Sequence, residues 1–304
     1  MEGQRRGRRH DLGVDRGVAV IRDLEGKVIL VTGATAGLGR FTALALADRG
    51  ADVVVHGRSE GRVAPVVAEI TARGGVARPL IGDFTSLSAT RDAARRFLDS
   101  GSPLDVLVNN AGIPGTNGAS PNGFEMTFAV NHLAPFLFTA WLVPRLQERG
   151  GARIVNVASR AHTRVDGLDF DELRRPGSGW VAFPRYCRTK LCNVLFTKEL
   201  ARGRAPGVHS YALHPGVVAS EFWRTWPWPL PPLMRLATVS VEEGARTQLW
   251  CATSPDVADH DGRYYADARE VPCSPAAGDP ELARRLWVTS EEMVAPFAPD
   301  RTVA

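Results

Sequence analysis

Three lysines, four cysteines and four tyrosines in 304 residues are the scarcities that bound this sequence. Cys187, Cys192, Cys251 and Cys273 show neither Cys-x-x-Cys spacing nor the density of a disulfide scaffold. Reduced thiols in a cytoplasmic compartment are therefore expected. No apolar run approaches the roughly 18 residues needed to span a bilayer, so no membrane span is expected. The N-terminus Met-Glu-Gly-Gln-Arg-Arg carries charge with no apolar stretch behind it, unlike a secretory signal. No cluster of His, Cys, Asp and Glu has metal-ligand spacing, and no metal is expected. With 44% hydrophobic and 23% charged residues, the chain does not read as disordered, collagenous or coiled coil.

The net charge of +4 is misleading as a hint of nucleic acid. Residues 1–22 hold six arginines against Glu2, Asp11 and Asp15, so the rest of the chain is close to neutral. Residues 1–24 read as a solvated, mobile basic tail, with an interaction arm as the alternative. Nucleic acid is not expected as a partner.

From residue 27 short apolar runs alternate with longer amphipathic ones. Lys27–Thr32, Asp52–His56, Val76–Ile81, Leu104–Asn109, Ile154–Ala158 and Val208–Leu213 read as strands. Helical windows lie between them, including 62–73, 88–99, 124–149 and about Arg185 to Arg202. This βαβ rhythm predicts an α/β chain with one doubly wound parallel sheet of Rossmann type and helices on both faces. Residues 25–304 are expected to form one dinucleotide-binding catalytic domain, with substrate loops at 160–184 and 221–238. The second of these includes Phe222-Trp-Arg-Thr-Trp-Pro-Trp-Pro-Leu-Pro-Pro, too rich in proline for helix or central strand.

Thr32-Gly33-Ala34-Thr35-Ala36-Gly37-Leu38-Gly39 follows a strand and opens a helix. Small residues there let the backbone approach a pyrophosphate, and a helix N-terminus offers free N–H groups. The second strand ends His56-Gly57-Arg58, without the acid that would bond the ribose 2′-OH of NAD. A guanidinium fits a 2′-phosphate, so NADP(H) is the expected cofactor. Asp83-Phe84 and Asn109-Asn110-Ala111-Gly112 end the third and fourth strands, at the edge where open sheets bind ligands. Asp83 has two readings, an acceptor for the adenine amino group or a helix cap.

Tyr186 and Lys190 stand at i and i+4, on one face of a helix. A phenol with an ordinary value near 10 exchanges protons poorly at neutral pH. A nearby ammonium favours the phenolate, making the tyrosine a usable acid or base.

In combination, Thr32-Gly-x-x-x-Gly-x-Gly39, Asn109-Asn-Ala-Gly112, Ser159 and Tyr186-x-x-x-Lys190 resemble the short-chain dehydrogenase/reductase family over about residues 25–290. The resemblance implies hydride transfer between NAD(P) and an alcohol or carbonyl. It implies that Tyr186 exchanges the proton with the substrate oxygen and that Ser159 holds that oxygen. Lys190 would bind the nicotinamide ribose and lower the tyrosine value, and Asn131 would anchor a water behind it. His214-Pro215-Gly216 is similar to the loop lining the nicotinamide, followed by Val218 and by Ser220 for its carboxamide.

A finer resemblance, on Val130-Asn-His-Leu, Arg153-Ile-Val-Asn-Val-Ala-Ser-Arg-Ala-His162 and Tyr186-Cys-Arg-Thr-Lys-Leu-Cys-Asn-Val-Leu-Phe196, is to the retinol-dehydrogenase-like branch. That branch includes the WW-domain oxidoreductase, though no WW domain is expected here. A homodimer is the assembly the family implies.

Phe222, Trp223, Trp226 and Trp228 have two readings, a lid over an apolar substrate or a surface for dimer contact. The lid reading expects a bulky lipid-like, aromatic or secondary-metabolite carbonyl or alcohol. His132, His162 and His214 read as structural. The alternative function is a catalytically quiet NADP-binding sensor or scaffold that uses the Arg-rich tail for interaction.

Overall fold

The computed structural model describes residues 22–175, 182–216 and 239–300. The basic tail up to residue 21, Val218, Ser220, Phe222, Trp223, Trp226 and Trp228 lie outside the described residues. Leu24 is buried and its N–H donates to the Arg49 carbonyl at 3.1 Å, so residues 22–26 pack on the domain.

Strands β1 (Val28–Val31), β2 (Asp52–Gly57), β3 (Val76–Ile81), β4 (Val106–Asn109), β5 (Ala152–Val157) and β6 (Val208–Leu213) fall where the apolar runs predict them. Two short strands, β7 (Tyr264–Ala266) and β8 (Arg269–Glu270), were not expected. The sheet order is β3-β2-β1-β4-β5-β6-β7-β8, parallel throughout except the β7–β8 hairpin. This is the doubly wound order whose ligand crevice lies outside the carboxyl ends of β1 and β4.

Helices α1 (Gly37–Asp48), α2 (Glu60–Ala72) and α3 (Leu87–Asp99) cross over between the early strands. A 22-residue helix, α4 (Met126–Gln147), follows β4, and α5 (Phe170–Arg174) and α6 (Ala182–Glu199) follow β5. Beyond β6 come α7 (Val241–Thr253), α8 (Pro275–Gly278) and α9 (Pro280–Val294). Successive strand residues serve opposite faces, as the pleat requires. Leu30, Val54, Leu107 and Ile154 pack with α3, α4, α6 and α9. Ile29, Val31, Val53, Val55 and Val108 pack with α1, α2 and α7.

Two local features differ from the sequence reading. The loop expected at 160–184 holds a 3-10 turn, Arg160–Arg164, and the short α5. Helix α6 begins at Ala182, two residues before Pro184. Proline is tolerated there because first-turn N–H groups have no intrahelical partner. In α4 the apolar run is long enough to cross a membrane, against the expectation that none approaches that length. Its most apolar window is 83% buried inside the protein, the pattern of a core helix.

A polar relay crosses the apolar layer beneath β4 and β5. Asn109 Nδ2 donates to Thr139 Oγ1 of α4 at 3.0 Å and to Asn156 Oδ1 of β5 at 2.9 Å. Asn156 Nδ2 donates to Thr197 Oγ1 of α6 at 2.9 Å, and Thr197 donates to the Asn193 carbonyl at 2.8 Å. Four elements are thereby held at one depth. An Asn156→Leu substitution removes the middle of the relay and leaves buried polar atoms unpaired, so unfolding by denaturant should show a loss of about 2–4 kcal/mol. A loss below about half a kcal/mol would show that apolar packing alone sets the helix positions.

Candidate active site

The glycine loop between β1 and α1 is shaped by contact with the end of β4. Thr32 Oγ1 accepts from the N–H groups of Asn110 and Ala111, each at 3.0 Å, and donates to the Val108 carbonyl. Asn110 Nδ2 donates to the carbonyls of Thr32 at 2.8 Å and Gly33 at 3.3 Å. A Cβ on Gly33 would lie 2.9 Å from the Ala111 Cα, and Gly33 has φ +63°, so only glycine fits. A Cβ on Gly39 would meet the Gly33 carbonyl oxygen at 2.4 Å. Gly37, by contrast, faces open space at the first turn of α1.

The N-terminus of α1 suits an anion. Its cap residue, Ala36, makes no side-chain hydrogen bond, and its first turn holds no acid. In α3, α7 and α9 the caps Ser86, Ser240 and Asp279 bond their own first turns. Free N–H groups and the positive end of the helix dipole therefore remain at α1, beside Thr35, Ala36, Gly37 and Leu38. At the end of β2, Arg58 is exposed. Ser59, which the sequence reading passed over, caps α2 without a side-chain bond to it. The Arg58–Ser59 pair thus presents a cation and an uncommitted hydroxyl at a second helix N-terminus.

At three of the expected cofactor positions the side chains make contacts within the protein. Phe84 puts its ring into the core, 4.4 Å from His56 and 5.4 Å from Phe138 between centroids. Asn110 spends its amide on the glycine loop, holding it from behind. Asp83 does not cap α3, which Ser86 does. Its carboxylate accepts the Thr85 N–H at 3.0 Å and is half-buried at the strand end.

Tyr186, Lys190, Ser159 and Asn131 converge at the ends of β4 and β5. Tyr186 and Lys190 share one face of α6, with Lys190 Nζ 5.5 Å from the centre of the tyrosine ring. Lys190 is 5% exposed, and Nζ donates to the Val157 carbonyl, the last of β5, at 2.9 Å. Ser159 lies just past β5, where its hydroxyl accepts the Ala161 N–H at 3.1 Å and hydrogen-bonds to Tyr186. Asn131 sits in a π-helical segment of α4, Ala129–Leu133. It is locked by the Ile113 N–H on Oδ1 at 2.7 Å and by bonds from Nδ2 to the Ile113 carbonyl and Thr189 Oγ1. Gly112 bridges the set, since a Cβ there would lie 3.3 Å from Asn131 Oδ1 and 3.8 Å from Lys190 Nζ.

The electrostatics differ from the expected lowering of the tyrosine by Lys190. Burial pushes Tyr186 up to about 12, and the opposing pull is the hydrogen bond with Ser159. Burial also brings Lys190 down to about 8, weakening the ammonium that was expected to favour the phenolate.

The histidines serve the frame. His214 Nδ1 accepts the Gly216 N–H at 2.9 Å, setting the Pro215–Gly216 turn, where Gly216 has φ +80°. His162 Nδ1 bonds the Ser159 carbonyl at 2.8 Å, and its Nε2 accepts the Ser274 N–H at 3.1 Å. Buried His132 bonds Ser290. The sequence reading also missed Phe183, 40% exposed and stacked 6.5 Å from the Tyr186 ring. Its position one turn before the tyrosine was the available signal.

Lys190 has a folded value below its ordinary one, so its contribution to stability is present above about pH 10.5 and is lost as the pH falls through about 8. The loss amounts to about 3 kcal/mol. With only Lys27, Lys190 and Lys198 in the chain, ¹⁵N-lysine NMR can follow each side chain. One resonance, removed by Lys190→Met, should titrate near pH 8; a Lys190 midpoint at or above 10 would refute this.

Residues 27–169 match the short chain dehydrogenase family. Human dehydrogenase/reductase SDR family member 13 is 41% identical over 280 residues, covering 89% of this chain and 74% of that protein. Mouse retinol dehydrogenase 12 is 38% identical over 278 residues, covering 89% and 87% respectively. Among solved structures, an uncharacterized protein from Mycobacterium Paratuberculosis superposes with TM-score 0.72 at 29% identity, covering 90% of this chain and 96% of that one. A 3-oxoacyl (acyl-carrier-protein) reductase from Agrobacterium tumefaciens, with NADP bound, gives TM-score 0.65 at 25% identity, covering 80% and 93%. Sequence, sheet order and site geometry agree that this chain belongs to the short-chain dehydrogenase/reductase family of nicotinamide-dependent oxidoreductases, among relatives that include the retinol dehydrogenases.

Proposed function

We propose that the protein is an NADP(H)-dependent oxidoreductase acting on the carbonyl, or the corresponding alcohol, of a bulky apolar substrate. The observation that carries this reading is the convergence of Ser159, Tyr186 and Lys190 beside an uncapped helix N-terminus, with Arg58 at the neighbouring strand end. In this reading Gly33, Thr35, Ala36, Gly37, Leu38 and Gly39 cradle the pyrophosphate. Arg58, with Ser59, takes the 2′-phosphate, and Asp83 faces the adenine. The backbone of Phe84, Asn110, Ala111 and Gly112 lines the cleft, and Pro215, Gly216, Val218 and Ser220 face the nicotinamide.

When bound, the nicotinamide supplies or accepts the hydride. Ser159 holds the substrate oxygen by hydrogen bond. Tyr186, protonated at neutral pH because burial holds it near 12, gives its proton to that oxygen as the carbonyl π pair moves onto it. A new C–H and a new O–H bond form, and the carbonyl becomes an alcohol. Lys190 binds the nicotinamide ribose, and Asn131 braces the wall behind it. Reduction is the favoured direction in this reading because cells keep the NADPH pool reduced.

An apolar substrate is supported by exposed Phe183 against Tyr186, and by the sequence of Phe222, Trp223, Trp226 and Trp228. The retinol dehydrogenases act, by name, on an apolar alcohol, in keeping with this class. The four cysteines are free thiols, and a reducing cytoplasmic setting belongs to the same reading.

Two measurements test it. Nucleotide fluorescence titration should show tight NADPH binding by the wild type, weakened about 10- to 100-fold in Arg58→Glu, with NADH little changed. Unchanged NADPH affinity would remove the 2′-phosphate assignment. Tyr186→Phe should keep NADPH binding and lose about 10²- to 10⁴-fold in carbonyl reduction. A variant reducing carbonyls at the wild-type rate would remove Tyr186 from the chemistry.

A further inference from the structure

Tyr264 carries a polar group that the fold leaves unused. Of the four tyrosines, Tyr211 donates its hydroxyl to the Val257 carbonyl at 2.8 Å and Tyr265 to the His260 carbonyl at 3.1 Å. Tyr186 bonds Ser159. The Tyr264 hydroxyl is buried with no hydrogen-bond partner among the described residues, and the whole residue is 4% exposed. An unpaired buried hydroxyl costs on the order of the desolvation it has suffered, so its retention needs a reason.

The ring is fixed by the two segments that border the reacting groups. It stands edge-on to His162, with centroids 4.8 Å apart, and tilted to His214 at 6.2 Å. His162 grips the Ser159 carbonyl and His214 sets the Gly216 turn, so Tyr264 is wedged between the serine and the nicotinamide loop. Strand alternation sends Tyr265 to the other face of the sheet, with Tyr211, and keeps Tyr264 on the face of α4 and α6. A tyrosine needed only for packing would be served as well by phenylalanine, which would bury no unpaired hydroxyl.

We infer that Tyr264 positions the substrate, its unpartnered hydroxyl donating a hydrogen bond to a second oxygen, so that the site selects bulky apolar compounds bearing another acceptor oxygen near the reacting carbonyl. The inference rests on the proposed carbonyl chemistry and deepens it, assigning substrate selection to a residue outside the Ser159, Tyr186 and Lys190 set. Vicinal dicarbonyls are the simplest members of the class.

The test compares benzil with deoxybenzoin, which share a skeleton and differ in one carbonyl oxygen, in the wild type and Tyr264→Phe. Turnover with NADPH and quenching of tryptophan fluorescence give separate readouts of reaction and binding. In Tyr264→Phe, KM and the binding constant for benzil should weaken about three- to tenfold, with kcat within twofold. Deoxybenzoin binding, NADPH affinity and the melting temperature should stay level, or the melting temperature should rise as the unpaired hydroxyl is removed. Equal effects on both ketones, or a lower melting temperature with benzil binding intact, would overturn the assignment. Weakened benzil binding without wild-type turnover would uphold Tyr264 and overturn the proposed reaction. A wild type that neither binds nor reduces benzil would overturn both.

Discussion

The middle of the Asn109–Asn156–Thr197 relay is the constraint on which the catalytic geometry rests. Apolar packing between α4, α6 and the sheet is large but non-directional, and would tolerate small slides of one helix along another. Amide hydrogen bonds in a low-dielectric interior do not, because each misplacement strands a donor or acceptor at a cost comparable to a whole side-chain contact. The relay joins α4, which carries Asn131, to α6, which carries Tyr186 and Lys190, through the strand that ends at Val157. Lys190 then donates to the Val157 carbonyl, so the same helix is tied directly to the same strand end.

A second brace, built from Thr32 and Asn110, does for the cofactor edge what the relay does for the catalytic edge. Parallel strands that stop at one level leave backbone groups without ladder partners, and these two side chains take them up. The consequence lies one turn further on. With the loop held from behind, the first N–H groups of α1 are left facing outward, uncapped and free of acidic neighbours. Rigidity behind the loop and unsatisfied donors in front of it are two sides of one arrangement.

The strands from β1 to β6 were legible because each is a short apolar run between turn residues, and Tyr186 with Lys190 because an i, i+4 pair needs no tertiary knowledge. Strands β7 and β8 were not, since three and two residues carry no period. The 22-residue α4 escaped notice as an apolar span because Asn131 and His132 interrupt its run, and only the structure shows both enclosed. Phe84 and Asn110 were read as lying at the carboxyl edge of the sheet, and the structure adds what their side chains do there. A sequence locates a residue along a strand, but whether its side chain or its backbone meets a ligand depends on neighbours brought in from α4 and β1. The solvation of Tyr186 was illegible for the same reason.

That solvation shapes the chemistry. Burial acts on Tyr186 and Lys190 in opposite senses on the pH scale, but in the same sense physically, favouring the neutral form of each. A phenolate with an ammonium beside it is therefore not the resting state, although i, i+4 spacing alone suggests it. The resting state is a protonated phenol, held so by burial against the opposing pull of the Ser159 hydrogen bond, with a lysine whose proton is loosely held. In the proposed reaction the phenol yields that proton only as the substrate oxygen gains electrons and becomes the stronger base. Running backward, the tyrosine must first lose a proton against the same burial. Burial thus fixes the protonation state from which Tyr186 starts, while the direction of net turnover follows the levels of nucleotide and substrate, because a catalyst speeds both senses alike.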